Sequence, residues 1–110
     1  MQTNLITKGN TEVVDKVMDA LRNVIDPEWG YSLVDLGLIY RVEAVEERIE
    51  IDYTLTDPGC PVADEIYYEI IKYVYQKTDN PRIVAKLVWT PSWGPEFMSE
   101  EARLEFGFPI

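Results

Sequence analysis

From Asn10-Thr11 onward the apolar residues Val14, Val17, Met18, Leu21, Val24 and Ile25 recur at three- and four-residue intervals, the single stripe of an amphipathic helix. Asn10 or Thr11 can cap it, and Asp26-Pro27 should end it, because a residue preceding proline is driven out of the helical region. The first ten residues are polar and expected to fray. After a turn at Glu28-Trp29-Gly30-Tyr31-Ser32 the period changes to two. Leu38, Tyr40, Val42 and Ala44 face one way with Arg41 and Glu43 opposite, and a second run places Ile49, Ile51, Tyr53 and Leu55 in register. Glu46-Glu47-Arg48 joins the two runs, so they predict an antiparallel hairpin covered on one face only.

Thr56-Asp57-Pro58-Gly59-Cys60-Pro61 is a loop leading into a second helix, with Pro61 at the first helical position and Cys60 at or beside the N-cap. Ala63, Ile66, Tyr67, Ile70 and Val74 form its apolar stripe, and Thr78-Asp79-Asn80-Pro81 should end it. Ile83, Ala85, Leu87 and Trp89 alternate with Arg82, Val84, Lys86 and Val88 as a third strand. A proline-rich loop, Thr90 to Pro95, precedes a short helix that Ser99 caps and Gly107 stops. The order α-β-β-α-β-α predicts a small, compact, two-layer α+β domain with helices packed on a small mixed sheet, one domain over residues 1–110.

Charge and composition then narrow the chemistry. Twenty acids against ten bases leave a net charge of −10 and no basic cluster to displace counterions, so neither nucleic acid nor an anionic membrane is an expected partner. No apolar run is long enough to cross a bilayer, and the N-terminus lacks the basic flank and apolar stretch of a signal peptide, which makes the cytoplasm the expected compartment. The chain has no histidine and one cysteine. That excludes Ser–His–Asp and Cys–His catalysis, histidine-based metal sites, an internal disulfide and a self-contained four-cysteine cluster. The chain is expected not to be an enzyme.

Cys60 is therefore the chemical focus. A thiol at a helix N-terminus meets unpaired N–H groups and the positive end of the dipole, both of which favour thiolate. A lone cysteine can equally be a small buried hydrophobe, but its setting after Gly59 and between Pro58 and Pro61 is unlike a core position. One thiolate cannot hold zinc or a cluster tightly, since such sites take about four ligands. The remainder would come from a second subunit, a partner protein, a small thiol or nearby carboxylates, and a homodimer could bring two copies of Cys60 together. Asp26, Glu28 and Asp35 stand out as acids in turns, where turn hydrogen bonding is the alternative to a site role, and Asp57 and Asp64 flank Cys60. Trp89, Trp93 and Phe97 bracket the proline loop as core residues or as docking anchors.

Four segments carry a resemblance: Ile25-Asp26-Pro27-Glu28, Leu33-Val34-Asp35-Leu36-Gly37-Leu38-Ile39-Tyr40, Leu55-Thr56-Asp57-Pro58-Gly59-Cys60-Pro61, and Trp89-Thr90-Pro91-Ser92-Trp93 with Met98-Ser99. In this order and spacing, from about Glu12 to Gly107, the chain resembles the SufT/PaaD-like iron–sulfur cluster assembly domain family, whose eukaryotic members serve cytosolic iron–sulfur targeting. The resemblance implies a maturation factor that transiently binds iron or a cluster, or assists its transfer to client apo-proteins, through a reactive cysteine at Cys60. It implies a supporting site of Asp26, Glu28, Asp35, Thr56, Asp57 and Pro61, and docking positions at Trp89, Trp93 and Phe97. Expected partners are client apo-iron–sulfur proteins or scaffold proteins, with no cofactor held stably by one chain. The alternative is an adaptor that binds apo-proteins or scaffolds without carrying a cluster. Gly94 stands where the family often has threonine, and the extra C-terminal cysteines of the phenylacetate-pathway branch are absent, so the SufT-like role is expected over the PaaD role.

Overall fold

The computed structural model describes residues 5–59 and 61–107. Its elements are β1 (Ile6–Gly9), α1 (Thr11–Leu21), β2 (Ile25–Asp26), β3 (Tyr31–Ser32), β4 (Ile39–Val45), β5 (Arg48–Tyr53), α2 (Ala63–Thr78), β6 (Ile83–Leu87), a 3₁₀ turn (Pro95–Phe97) and α3 (Glu100–Phe106). The main sheet has the order β1-β4-β5-β6; the central β4–β5 hairpin is antiparallel and both outer pairings are parallel. This is the expected α+β domain on a mixed sheet, enlarged by an N-terminal strand and a two-residue β2–β3 ribbon.

The helices cover one face. Val14, Val17, Met18 and Leu21 of α1 and Ile66, Ile70 and Val74 of α2 meet Val42, Ala44, Ile49, Ile51 and Tyr53 of the hairpin in one buried cluster. The opposite face stays wet, as the alternation predicts. Arg41 stands at its centre, bonded to Glu50 and Asp52 at 3.0 Å each and paired with Glu43, while Arg48 reaches Glu50 at 2.7 Å.

Several expectations are corrected. Ile6–Gly9 do not fray: they pair in parallel with Arg41–Ala44 through main-chain bonds, and their uniform exposure leaves no apolar alternation to announce the strand. Asn10 caps α1, its side chain accepting from Val13 N at 3.1 Å, but the helix ends at Leu21 rather than near Ile25. Val24 is buried all the same, because its carbonyl accepts from Leu33 N and folds the turn back onto the core, so burial outlasts the helix. Ile25 lies in β2 and is 43% exposed. The hairpin strands end earlier than the alternation, β5 at Tyr53 and β6 at Leu87, with Leu55 buried beyond the strand and Trp89 off it. Ile39 is buried as well as Leu38 and Tyr40, because an irregularity between Ile39 and Arg41 breaks the two-residue period. Tyr67 lies outside the buried stripe of α2 at 38% exposure.

Candidate functional site

Three of the sequence motifs converge beyond the end of β5. The chain leaves the sheet at Tyr53, and Thr54 N bonds to Leu38 O at 2.8 Å, so Leu55 stays buried and Thr56 emerges half-buried. Asp57 Oδ1 accepts from Gly59 N at 2.9 Å, closing a tight turn of the kind short acids make with their own backbone. Cys60 lies outside the described residues, and its expected N-cap placement with it. Pro61 is not the first helical residue: Val62 is the N-cap and α2 starts at Ala63, because Ile66 N to Val62 O is the first helical bond. Val62 offers no side-chain cap, and the acids Asp64 and Glu65 occupy the first turn, where the dipole favours them.

The facing wall is the segment after β6. Trp89 is 44% exposed, whereas Trp93 is partly buried and donates its indole N–H to Leu36 O at 2.7 Å. Tyr40 donates its hydroxyl to Pro91 O at 2.9 Å, and burial, reinforced by Glu96, pushes that phenol above its ordinary range and keeps the donor protonated. Phe97 stacks edge-on against Tyr40, and Ser99 N donates to Asp35 O at 2.8 Å. Gly37 permits a close backbone approach, with φ +73° and Phe97's carbonyl lying where a Cβ would stand. The Leu33–Tyr40 motif is thus the anchor that fixes the Trp89–Ser99 segment in place. Between that segment and the Leu55–Pro58 loop lies a cavity of about 370 Å³ lined by Leu55, Thr56, Pro58, Trp89, Ser92 and Trp93. Two larger clefts, of about 590 and 580 Å³, open by the β4–β5 turn and on the wet face of the sheet, away from this convergence.

Of the residues singled out from sequence, Thr56, Trp89 and Trp93 come together at the cavity, with Asp57 and Pro61 in the same loop but outside its lining. The remaining acids serve turns. Asp26, 1% exposed, accepts from Glu28 N at 2.9 Å through Oδ1, and its carbonyl takes Trp29 N and Gly30 N. Asp35 accepts from the Ser32 hydroxyl at 3.2 Å while its own N–H donates back to Ser32 Oγ at 3.0 Å. Glu28 is exposed and Phe97 packs behind the wall, outside the cavity lining. Pro58 and Ser92 line the cavity, and Leu36, Gly37 and Tyr40 support it, without having been singled out. A buried tyrosine and tryptophan each need an acceptor for the polar atom, which was the available signal for Tyr40 and Trp93. Among the described residues no three Cys, Asp or Glu side chains are grouped to hold a metal ion, and no helix is long and apolar enough to cross a membrane.

Comparison with known proteins gives consistent matches. A family model described as an iron–sulfur cluster assembly protein matches residues 14–79. The chain is 36% identical to the Fe–S protein maturation auxiliary factor YitW of Bacillus subtilis over 84% of its own length and 92% of that protein's. It is 34% identical to the Fe–S protein maturation auxiliary factor SufT of Staphylococcus aureus, over 76% of this chain and 97% of the other. Among solved structures, a domain of unknown function from Bacillus anthracis superposes with a TM-score of 0.82 at 35% identity, covering 89% of this chain and 94% of that one. A conserved hypothetical protein from Thermotoga maritima gives 0.75 at 34% identity, covering 91% and 96%.

Proposed function

This chain belongs to the iron–sulfur cluster assembly protein family and serves iron–sulfur protein maturation, and we propose that it does so as a non-enzymatic cytoplasmic carrier using Cys60. In this reading Cys60 transiently holds iron or a cluster, the cargo, and passes it to a client apo-protein. The observation that carries the proposal is the cavity at the mouth of the loop that leads into Cys60, walled by Thr56, Pro58, Trp89, Ser92 and Trp93. Its far wall is held by the Trp93–Leu36 and Tyr40–Pro91 bonds, so it offers a preshaped recess at the loop whose sequence runs on into the chain's one cysteine.

Ligand arithmetic makes the hold weak. With one thiolate and no imidazole, a cluster needing about four ligands must borrow most of them from a client's cysteines or a small thiol. Such a cargo leaves easily, which suits transfer and not storage. Anaerobic reconstitution with iron and sulfide, followed by addition of an apo-ferredoxin acceptor, tests this. The expected result is a labile chromophore that a chelator strips within minutes and that Cys60→Ala abolishes together with transfer. An undiminished chromophore in Cys60→Ala would overturn it.

A second reading, an adaptor that carries no cargo, is favoured by one observation. Trp89 stands 44% exposed on the cavity rim, the kind of aromatic anchor that protein interfaces use. In that case apo-client binding would survive Cys60→Ala and fail in Trp89→Ala.

A further inference from the structure

β6 pairs only with β5 among the described residues, in an unbroken register from Ile83 to Leu87. Ile49 N donates to Arg82 O and Val88 N donates to Tyr53 O, so residues 82 and 88 turn their main-chain groups inward to β5. Because these groups alternate along a strand, Val84 and Lys86 also turn inward, while Ile83, Ala85 and Leu87 direct N–H and C=O to the open edge. Those same three residues carry the half-buried apolar side chains of β6, on the helix-covered face. Above them lies α2. Its Tyr73 and Lys77 flank a groove toward Ala20 and Asn23 of α1, so Tyr67 and Ile71, on the opposite flank, lie toward β6. Tyr67, Tyr68 and Tyr75 are 38%, 69% and 47% exposed. An unpaired edge and an aromatic helix flank therefore lie side by side.

We infer that this edge is the interface for a second copy of the chain, with β6 pairing antiparallel to β6 about a two-fold axis at Ala85. The choice of occupant rests on the pattern being self-complementary. An axis at Ala85 pairs Ile83 with the partner's Leu87, Ala85 with its counterpart and Leu87 with the partner's Ile83. All three are outward-facing positions, so about six main-chain bonds form at two per pair. The charges select the same register. An axis at Ala85 sets Lys86 against the partner's Val84 and Arg82 against the partner's Val88, whereas an axis at Val84 opposes Lys86 to an arginine and an axis at Lys86 opposes two lysines. The joined sheet leaves the two cavities apart. Trp89 stands four residues past the axis, which separates it from the partner's Trp89 by about 26 Å along the strands. Each copy then keeps its own cavity.

Sedimentation over about a hundredfold range of protein concentration, with substitutions at exposed Val84, tests the pairing. Val84→Lys faces the partner's Lys86 twice per dimer and should weaken association roughly tenfold, whereas Val84→Glu should tighten it by a similar factor. Circular dichroism on both variants checks that the fold is kept. In amide exchange, Ile83, Ala85 and Leu87 should become protected as concentration rises while Val84 and Lys86 stay protected throughout. A monomer at every concentration, a dimer indifferent to both substitutions, or edge amides protected only when a client peptide is added would each overturn the inference.

Discussion

Replacing Gly37 by alanine tests whether the loop that anchors the cavity wall is held by close backbone approach. Gly30 supplies the control. Both glycines have left-handed backbones, φ +73° and +74°, but a Cβ at Gly30 would meet nothing within 4 Å, whereas at Gly37 it would overlap the carbonyl of Phe97. The left-handed conformation costs an alanine about 1–2 kcal/mol at either site, and the lower entropy of the unfolded alanine chain acts equally on both. The surplus at Gly37 comes from the Phe97 segment, which must lift. Lifting breaks the Ser99 N to Asp35 O bond and the edge contact between Tyr40 and Phe97. A hydrogen bond is worth about 1 kcal/mol and an aromatic pair about 0.5–1.5 kcal/mol. Gly30→Ala should therefore lose about 1–2 kcal/mol and Gly37→Ala about 2.5–4.5 kcal/mol, measured as urea midpoints at constant slope. In thermal unfolding the gap between them should be on the order of 10 °C. Equal losses for the two would refute the claim that Gly37 is required by contact and not by φ alone.

Two further outcomes follow from the sheet. Glu46 and Glu47 occupy the β4–β5 turn at φ 53° and 63°, where a two-residue hairpin prefers Asn-Gly, so Glu46→Asn with Glu47→Gly should stabilise by about 1 kcal/mol, read as a rise in Tm. The Arg41 hydrogen bond, with Arg48 assisting, holds the Glu50 carboxyl below its ordinary value. Its contribution is therefore present above the unfolded pKa of about 4.3 and disappears as pH falls through the lowered folded value, so Glu50→Gln should cost stability at neutral pH and little in acid. A cost that stays constant or grows on acidification would count against the pairing.

The helices and the hairpin were legible because their signals are local. Spacing in α1 and α2 and alternation in β4 and β5 each report a buried face, and Asn10 and Ser99 announce their helix starts through side-chain acceptors, both of which are used. β1 was not legible, since a strand whose four residues are all exposed has no apolar face to alternate. The end of α1 was overrun because Val24 is buried by the following turn, and periodicity cannot tell that burial from another helical turn. Tyr67 was misjudged: it sits at stripe spacing yet is 38% exposed, on the flank of α2 away from α1. Of the two readings open for Trp93, packing against the core is the one its indole bond to Leu36 supports.

The site was half legible for a related reason. Thr56, Trp89 and Trp93 stand in separate motifs, and what joins them is the sheet order, which brings the end of β6 beside the end of β5 in parallel. Nothing local in either segment encodes that neighbourhood. The acids, by contrast, carried a local reading that explains their described bonds: Asp26 closes on Glu28 N and Asp35 exchanges bonds with Ser32, each within three residues. A carboxylate committed to a turn holds backbone in place and is a poor donor for a soft metal. The family's motifs thus divide by task. The Asp26 and Asp35 segments build the frame, the Trp89–Trp93 segment is hung on it through Leu36 and Tyr40, and Thr56 and Pro58 close the recess from the opposite loop. If Cys60 is the only cargo ligand, weakening that frame should slow transfer while leaving the thiol itself intact. Gly37→Ala is then expected to lower the rate of transfer to an apo-ferredoxin while the pH midpoint of Cys60 alkylation stays unchanged. A change in both together would mean that the frame sets the thiol's chemistry as well as its surroundings.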